Sequence, residues 1–181
     1  MVVQTRLVTL EAFERFVALP ENADRNFEYI AGEIVEVVSN NYASHLAAKL
    51  LGRVGIHVDD HRLGRVTGAD GGYSVGGNKY IPDGAFISFD RQPDVCREAY
   101  NPLPPDLAIE VLSPGNDAAE IARKISHYLA VGTVVWVVDP EKRTVDVYVP
   151  GQAVQTLREQ DVLTGGELLP GFRYPLANFW D

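Results

Sequence analysis

Leu107-Ala108-Ile109-Glu110-Val111-Leu112-Ser113-Pro114-Gly115 is the stretch on which the fold turns. From Leu107 to Leu112 the run is almost wholly apolar, the pattern of a strand covered on both faces, and Ser113-Pro114-Gly115 breaks it. Glu110 is the one exception inside the run. An ionised carboxylate left alone in such a place costs several kcal/mol, so Glu110 must be paired, protonated or bound to a cation.

Downstream, Asp117 with Glu120 three residues on reads as the capped start of a helix that Gly132 stops. Taking Ile121 as zero and stepping about 100° per residue puts Ile125, Tyr128 and Lys124 at about +40°, −20° and −60°, with Arg123 opposite. Lys124 therefore borders the buried face. Glu110 lies about 10 Å back along its strand from Ser113, and Lys124 about 10 Å along the returning helix from Asp117. The two should sit abreast.

Upstream, Tyr80 to Phe89 reads as one strand carrying Pro82-Asp83 near its start. Asp83 can then bring a second oxygen ligand to Glu110 from a neighbouring strand. Two carboxylates on adjacent strands suit Mg²⁺ or Mn²⁺, which take hard oxygen ligands and retain waters. The following loop, with Pro93, Pro102, Pro104 and Pro105, is long enough to be mobile.

Farther out, Thr9 caps a short helix carrying Leu10, Phe13, Phe16 and Val17, which Pro20 closes. Phe27–Ile30 and Glu33–Val38 form a hairpin around Ala31-Gly32, with Glu28, Glu33 and Glu36 as solvated decoration. Asn41 is placed as the cap of a helix from Tyr42 to Val58, striped by Ala43, Leu46, Ala47, Leu50, Leu51 and Val54. The glycine-rich segment Gly64–Gly77 reads as strands with bends and lacks the lysine and hydroxyl pattern of a phosphate loop. Thr133–Val138 and Thr144–Val149 pair across Asp139–Arg143, and the tail to Trp180 reads as loops and a short element.

Composition sets the outer limits. At 181 residues, 46% hydrophobic and 23% charged, the chain is expected to form one globular domain over residues 1–181. No apolar stretch approaches the roughly 20 residues that span a bilayer, and the early charge of the N-terminus argues for the cytoplasm. Cys96 is the only cysteine, which excludes an internal disulfide and a cysteine-based zinc cluster. The net charge of −9 works against nonspecific attraction to a phosphate backbone, although carboxylates around a metal would add to that sum while locally neutralised.

These features resemble the PD-(D/E)xK restriction-endonuclease-like superfamily and, more closely, the Uma2 family. The marks are Phe27-Glu28-Tyr29 with Gly32-Glu33-Ile34-Val35, His45 on the next helix, Pro82-Asp83, Leu107 to Pro114, and Lys124 with Tyr128 before Val131-Gly132. The resemblance implies an α/β fold with a mixed sheet, its core ordered helix, three strands, helix, strand, with an N-terminal hairpin and C-terminal strands added. It also implies a metal-dependent endonuclease acting on nucleic acid, DNA in the first instance, as a homodimer. Asp83 and Glu110 would hold Mg²⁺ or Mn²⁺ with the Val111 carbonyl, and Lys124 would orient or activate water. The superfamily places its lysine two residues after the acid; Leu112 stands there, so that role passes to Lys124. Glu28 or Glu33 would be an extra ligand.

Blander readings stand beside these. Glu110 and Lys124 could form a structural ion pair without metal, in a nuclease-fold protein that binds or assembles without catalysis. Lys124 in isolation reads as a snorkelling helix lysine, and Asp83 as a strand-start aspartate. His45 reads better as a packed or hydrogen-bonded histidine than as a ligand, and His57 and His61 make no pair with it.

Overall fold

The computed structural model describes residues 7–37 and 39–181. Helix α1 (Leu10–Val17) begins where the Thr9 side chain accepts from the Ala12 N–H, and it buries Phe13. Strands β1 (Phe27–Ile30) and β2 (Glu33–Glu36) form the expected hairpin, with positive φ at both Ala31 and Gly32, as a tight primed turn requires. Strand β2 stops at Glu36; Val38, which the sequence reading included, lies outside the described residues.

Helix α2 (Asn41–Asp60) is capped by Asn40 rather than Asn41: the Asn40 side chain accepts from the Ala43 N–H at 2.9 Å. Both residues are asparagine, so only backbone geometry separates them. The glycine-rich segment becomes β3 (Gly64–Gly68) and β4 (Gly72–Val75), and a turn at Gly76-Gly77 leads on to β5 (Asn78–Tyr80). The single strand expected from Tyr80 to Phe89 is instead two elements. β5 ends at Tyr80 and β6 (Gly84–Ser88) starts after Ile81-Pro82-Asp83, which carries the chain from one sheet to another. Pro82 has no N–H for a ladder, so a crossing point is where it is tolerated.

The proline-rich loop is fastened rather than loose. It contains β7 (Tyr100–Asn101), parallel to β4, and the Asn101 and Gln92 amides bond each other. Then come β8 (Leu107–Val111), α3 (Ala118–Ala130), β9 (Val134–Asp139) and β10 (Thr144–Tyr148). The tail is more regular than its sequence suggests, with β11 (Gln155–Leu157), β12 (Val162–Gly165) and β13 (Leu169–Pro175).

The main sheet has the order β11-β10-β9-β8-β6-β3, and a smaller one runs β2-β1-β5-β4-β7. Only β8 and β9 are parallel in the main sheet, joined by the crossover helix α3. Leu107, Ile109, Val111, Trp136 and Val138 pack with α2 and the C-terminal strands in one core. Ala108, Val135 and Val137 point the other way and pack with Ile125, Tyr128 and residues of the smaller sheet. Burial on both faces is thus the reason for the unbroken apolar run, and alternation puts Glu110 on the α3 side with Ala108.

Gly64 sits against β6 so closely that an added Cβ would lie 2.1 Å from the Ile87 carbonyl oxygen and 2.8 Å from Ser88 Cα. Backbone cannot move aside as a side-chain end can. Gly64→Ala is expected to cost about 1–3 kcal/mol, the usual range for overpacking, read as a lowered urea midpoint. An unchanged midpoint would show that β3 shifts freely at the sheet edge.

Candidate active site

Glu110 leaves the middle of the main sheet toward α3 and is almost wholly buried. The register that pairs Gly84 with Ile109 brings Asp83, one residue before β6, beside Glu110. Asp83 Oδ2 accepts the Val111 backbone N–H at 2.7 Å, holding that aspartate at the end of the ladder. From the helix, Lys124 Nζ donates to Glu110 Oε2 at 3.1 Å, and the Tyr128 hydroxyl donates to Glu110 Oε1 at 3.3 Å. The residues predicted to lie abreast are in contact.

A second acid completes the grip on Lys124. Glu28 Oε1 accepts from Lys124 Nζ at 2.7 Å and from the Ile81 N–H at 2.7 Å. Glu28 is 4% exposed, so the reading of it as a solvated hairpin residue is corrected. The usable signal was its alternation with Ile30: residues two apart on a strand share a face, and Ile30 is core. Glu33 is on the exposed side of the hairpin, away from this cluster. His45 is also elsewhere, its Nε2 lying 3.3 Å from the Asp181 carbonyl. His57 and His61 stack on each other at 4.2 Å, with His57 Nε2 against the Pro170 carbonyl.

Lys124 does not snorkel. It is 8% exposed, lies between two carboxylates and faces the Tyr80 ring, whose centroid is 5.4 Å from Nζ. Tyr80 went unnoticed in the sequence because a strand-end tyrosine carries no chemical signature. Burial pulls the Lys124 ammonium toward losing its proton, but Glu110 and Glu28 outweigh that and hold it charged. Burial raises the Glu110 carboxyl most; the charges of Asp83 and Glu28 add to the rise, while Lys124 opposes it. Asp83 is raised chiefly by burial, opposed by the Val111 N–H and Lys124. Tyr128 is held neutral by burial and then by Glu110 and Glu28, which keeps it a donor.

Glu28 and Glu110 share the one Lys124 ammonium and Asp83 lies beside Glu110, so the cluster sets three acids against one cation and is short of positive charge. A divalent cation would supply it. Among the described residues no three acidic, histidine or cysteine side chains are grouped as a closed metal cage. Magnesium does not need one, since it is commonly held by one or two carboxylates and keeps several waters. Asp83 and Glu110 with Val111 border an open cavity of about 490 Å³, so the donor set fits a hard, partly hydrated ion.

A mixed sheet with a parallel pair at its centre, an acid on each of two neighbouring strand ends and a lysine on the crossover helix define a restriction-endonuclease-like nuclease fold. The Uma2 family, described as a putative restriction endonuclease, matches residues 13–177, and the chain belongs to that family. The crystal structure of a putative nuclease belonging to DUF820 from Anabaena variabilis ATCC 29413 superposes with a TM-score of 0.83 at 23% identity. That alignment covers 96% of this chain and 97% of the other, and at such identity it establishes the fold. No curated protein matches.

Removing Lys124 strands two buried carboxylates, so Lys124→Met is expected to lose about 3–5 kcal/mol of stability. Because the native Glu110 value lies above its ordinary 4.5, the folded protein keeps a proton that the unfolded chain releases. That contribution is fully present below 4.5 and is lost as pH rises through the folded value, about 8. Unfolding midpoints should therefore fall across this window in the wild type and fall less in Glu110→Gln; parallel curves would show that Glu110 does not govern it.

Proposed function

We propose that this chain is a single-domain, metal-dependent endonuclease that hydrolyses phosphodiester bonds in DNA. The observation that supports it most is the meeting of Glu110, beside Asp83, with Lys124 Nζ at 3.1 Å on the border of an open cavity. Asp83, Glu110 and the Val111 carbonyl are the donors for Mg²⁺ or Mn²⁺. Such an ion would supply Lewis acidity toward the phosphoryl oxygens. Lys124 contributes a fixed positive charge that offsets negative charge developing on the phosphate and orients the attacking water. Glu28 and Tyr80 keep the ammonium in place, and Tyr128 aims the Glu110 carboxylate. Hydrolysis then adds water across the P–O bond, leaving a phosphate monoester and a free hydroxyl.

Supercoiled plasmid with Mg²⁺ or Mn²⁺ is the direct assay. Wild type should nick it, and Glu110→Ala and Lys124→Ala should each slow nicking about 100-fold or more, as loss of one electrostatic group in a preorganised site does. Cleavage persisting in both variants refutes the assignment.

A second reading has its own observation. Lys124 is the only cation lining the cavity among the described residues, against Glu28, Glu36, Asp83, Glu110 and Glu120, and it is already engaged by two acids. A nuclease-fold binding or assembly protein would keep that closed ion pair. Calorimetry with Mn²⁺ separates the two. A catalytic site should bind the ion more tightly as pH rises toward about 8, since the metal displaces the Glu110 proton. No binding at any pH favours the assembly protein.

A further inference from the structure

Next to the candidate site, and sharing Ser113, Pro114 and Asn116 with it, lies a larger cavity of about 610 Å³. Its floor is apolar, made by Leu112, Ile121 and Ile125, and the aromatic residues Tyr42 and Tyr148 line it together with Pro140. Its volume and lining are those of a small-molecule pocket, apolar with a few convergent polar groups. Among the described residues lining it there is no lysine or arginine, whereas Asp139 and Glu141 are present. A phosphate would be repelled there.

The polar groups favour something else. Asn116 Oδ1 already accepts from the Ser113 N–H and hydroxyl, so what Asn116 can still offer is its amide N–H₂ donor. Asp139 is likewise spent on the Glu141 and Lys142 N–H groups and the Lys142 ammonium, which leaves the exposed Glu141 carboxylate as the acceptor. An aromatic face, one donor and one anionic acceptor suit a flat heterocycle with a ring nitrogen and an exocyclic amine. The shared wall points to which heterocycle: Ser113, Pro114 and Asn116 border both cavities, so a strand with a phosphate at Asp83 and Glu110 has the second cavity as the adjoining place for a base. We infer that this cavity receives one unstacked, amine-bearing nucleobase of the strand being cut, so that the protein prefers single-stranded or unpaired DNA to intact duplex. This deepens the nuclease reading and rests on it. It also meets the charge problem, because stacking is indifferent to the net charge of −9 in a way that phosphate contacts are not.

The test uses the full chain with Ca²⁺, a hard oxygen-seeking cation, and short fluorescein-labelled strands read by anisotropy. The strands are an oligodeoxyadenylate, the matching oligodeoxythymidylate and their duplex. Adenylate should bind about five-fold or more tightly than the duplex, the factor one stacked base supplies, and about five-fold or more tightly than thymidylate, whose base lacks the exocyclic amine that Glu141 would accept from. Ala122→Trp fills the cavity from an exposed helix position that does not border the catalytic cluster, and it should erase the preference. Tyr148→Leu, which removes a stacking face from the end of β10, should do the same, so that misfolding of one variant does not decide the outcome. Equal binding of the three strands, or a preference that survives both variants, overturns the pocket. Plasmid nicking alongside equal binding leaves the nuclease standing and the pocket refuted. A preference erased by the variants without any nicking supports the pocket and removes catalysis.

Discussion

The ammonium of Lys124, buried between Glu28 and Glu110, ties together three parts of the chain that are far apart in sequence. Glu28 belongs to the small sheet, Glu110 to the centre of the main sheet and Lys124 to the crossover helix between β8 and β9. Each of the three groups depends on the others where it stands, since breaking a buried pair by removing one partner costs about 3–5 kcal/mol, a large part of a domain's margin of stability. The Ile81 N–H on Glu28 and the Tyr128 hydroxyl on Glu110 then fix the two acids from outside the ion pairs. Replacing such a triad with apolar side chains is often neutral or stabilising, so stability alone does not account for keeping it.

The same constraint explains the position of Asp83. A single strand running from Tyr80 to Phe89 would have kept Asp83 inside one ladder. Because Pro82 breaks the ladder, the chain leaves the small sheet at Tyr80 and joins the main sheet at Gly84, and Asp83 falls where β8 still has a free N–H at Val111. The crossing segment thus does two jobs within three residues: Ile81 steadies Glu28, and Asp83 ends beside Glu110. The cluster forms where the two sheets meet, which is why it is buried yet borders a cavity.

Much of this was legible from residue patterns alone, for reasons that differ from element to element. The two-sided apolar run at Leu107–Leu112 showed its burial because both faces are covered, and the helical phase of Lys124 followed from counting along α3. Asp117 and Thr9 signalled their helix starts because capping is a local hydrogen bond. What stayed hidden was non-local. Glu28 gave no energetic alarm, because its strand is short and its neighbours include the half-exposed Tyr29, so a hairpin glutamate defaulted to solvent. The regular strands of the tail depend on packing against α2 and Trp136, which no window of the tail itself contains. Asn40 and Asn41 are chemically identical, and only the fold chooses between them.

Charge places the remaining constraint on how the site meets a substrate. Proteins that draw affinity from a phosphate backbone do so through many lysines and arginines, and their binding weakens steeply with salt. Here the net charge is −9 and the cleft lining offers one lysine already held by two acids. Every phosphate brought near must be met by charge that arrives with it or by the small number of donors the site commands. On the proposed reading, affinity comes from contacts indifferent to charge, and the cavity walled by Leu112, Ile121, Ile125 and Tyr148 beside the cluster offers a surface of that kind. On that reading such a site recognises a local feature of a strand rather than the length of a duplex, and its salt dependence is set by the few phosphates it would touch.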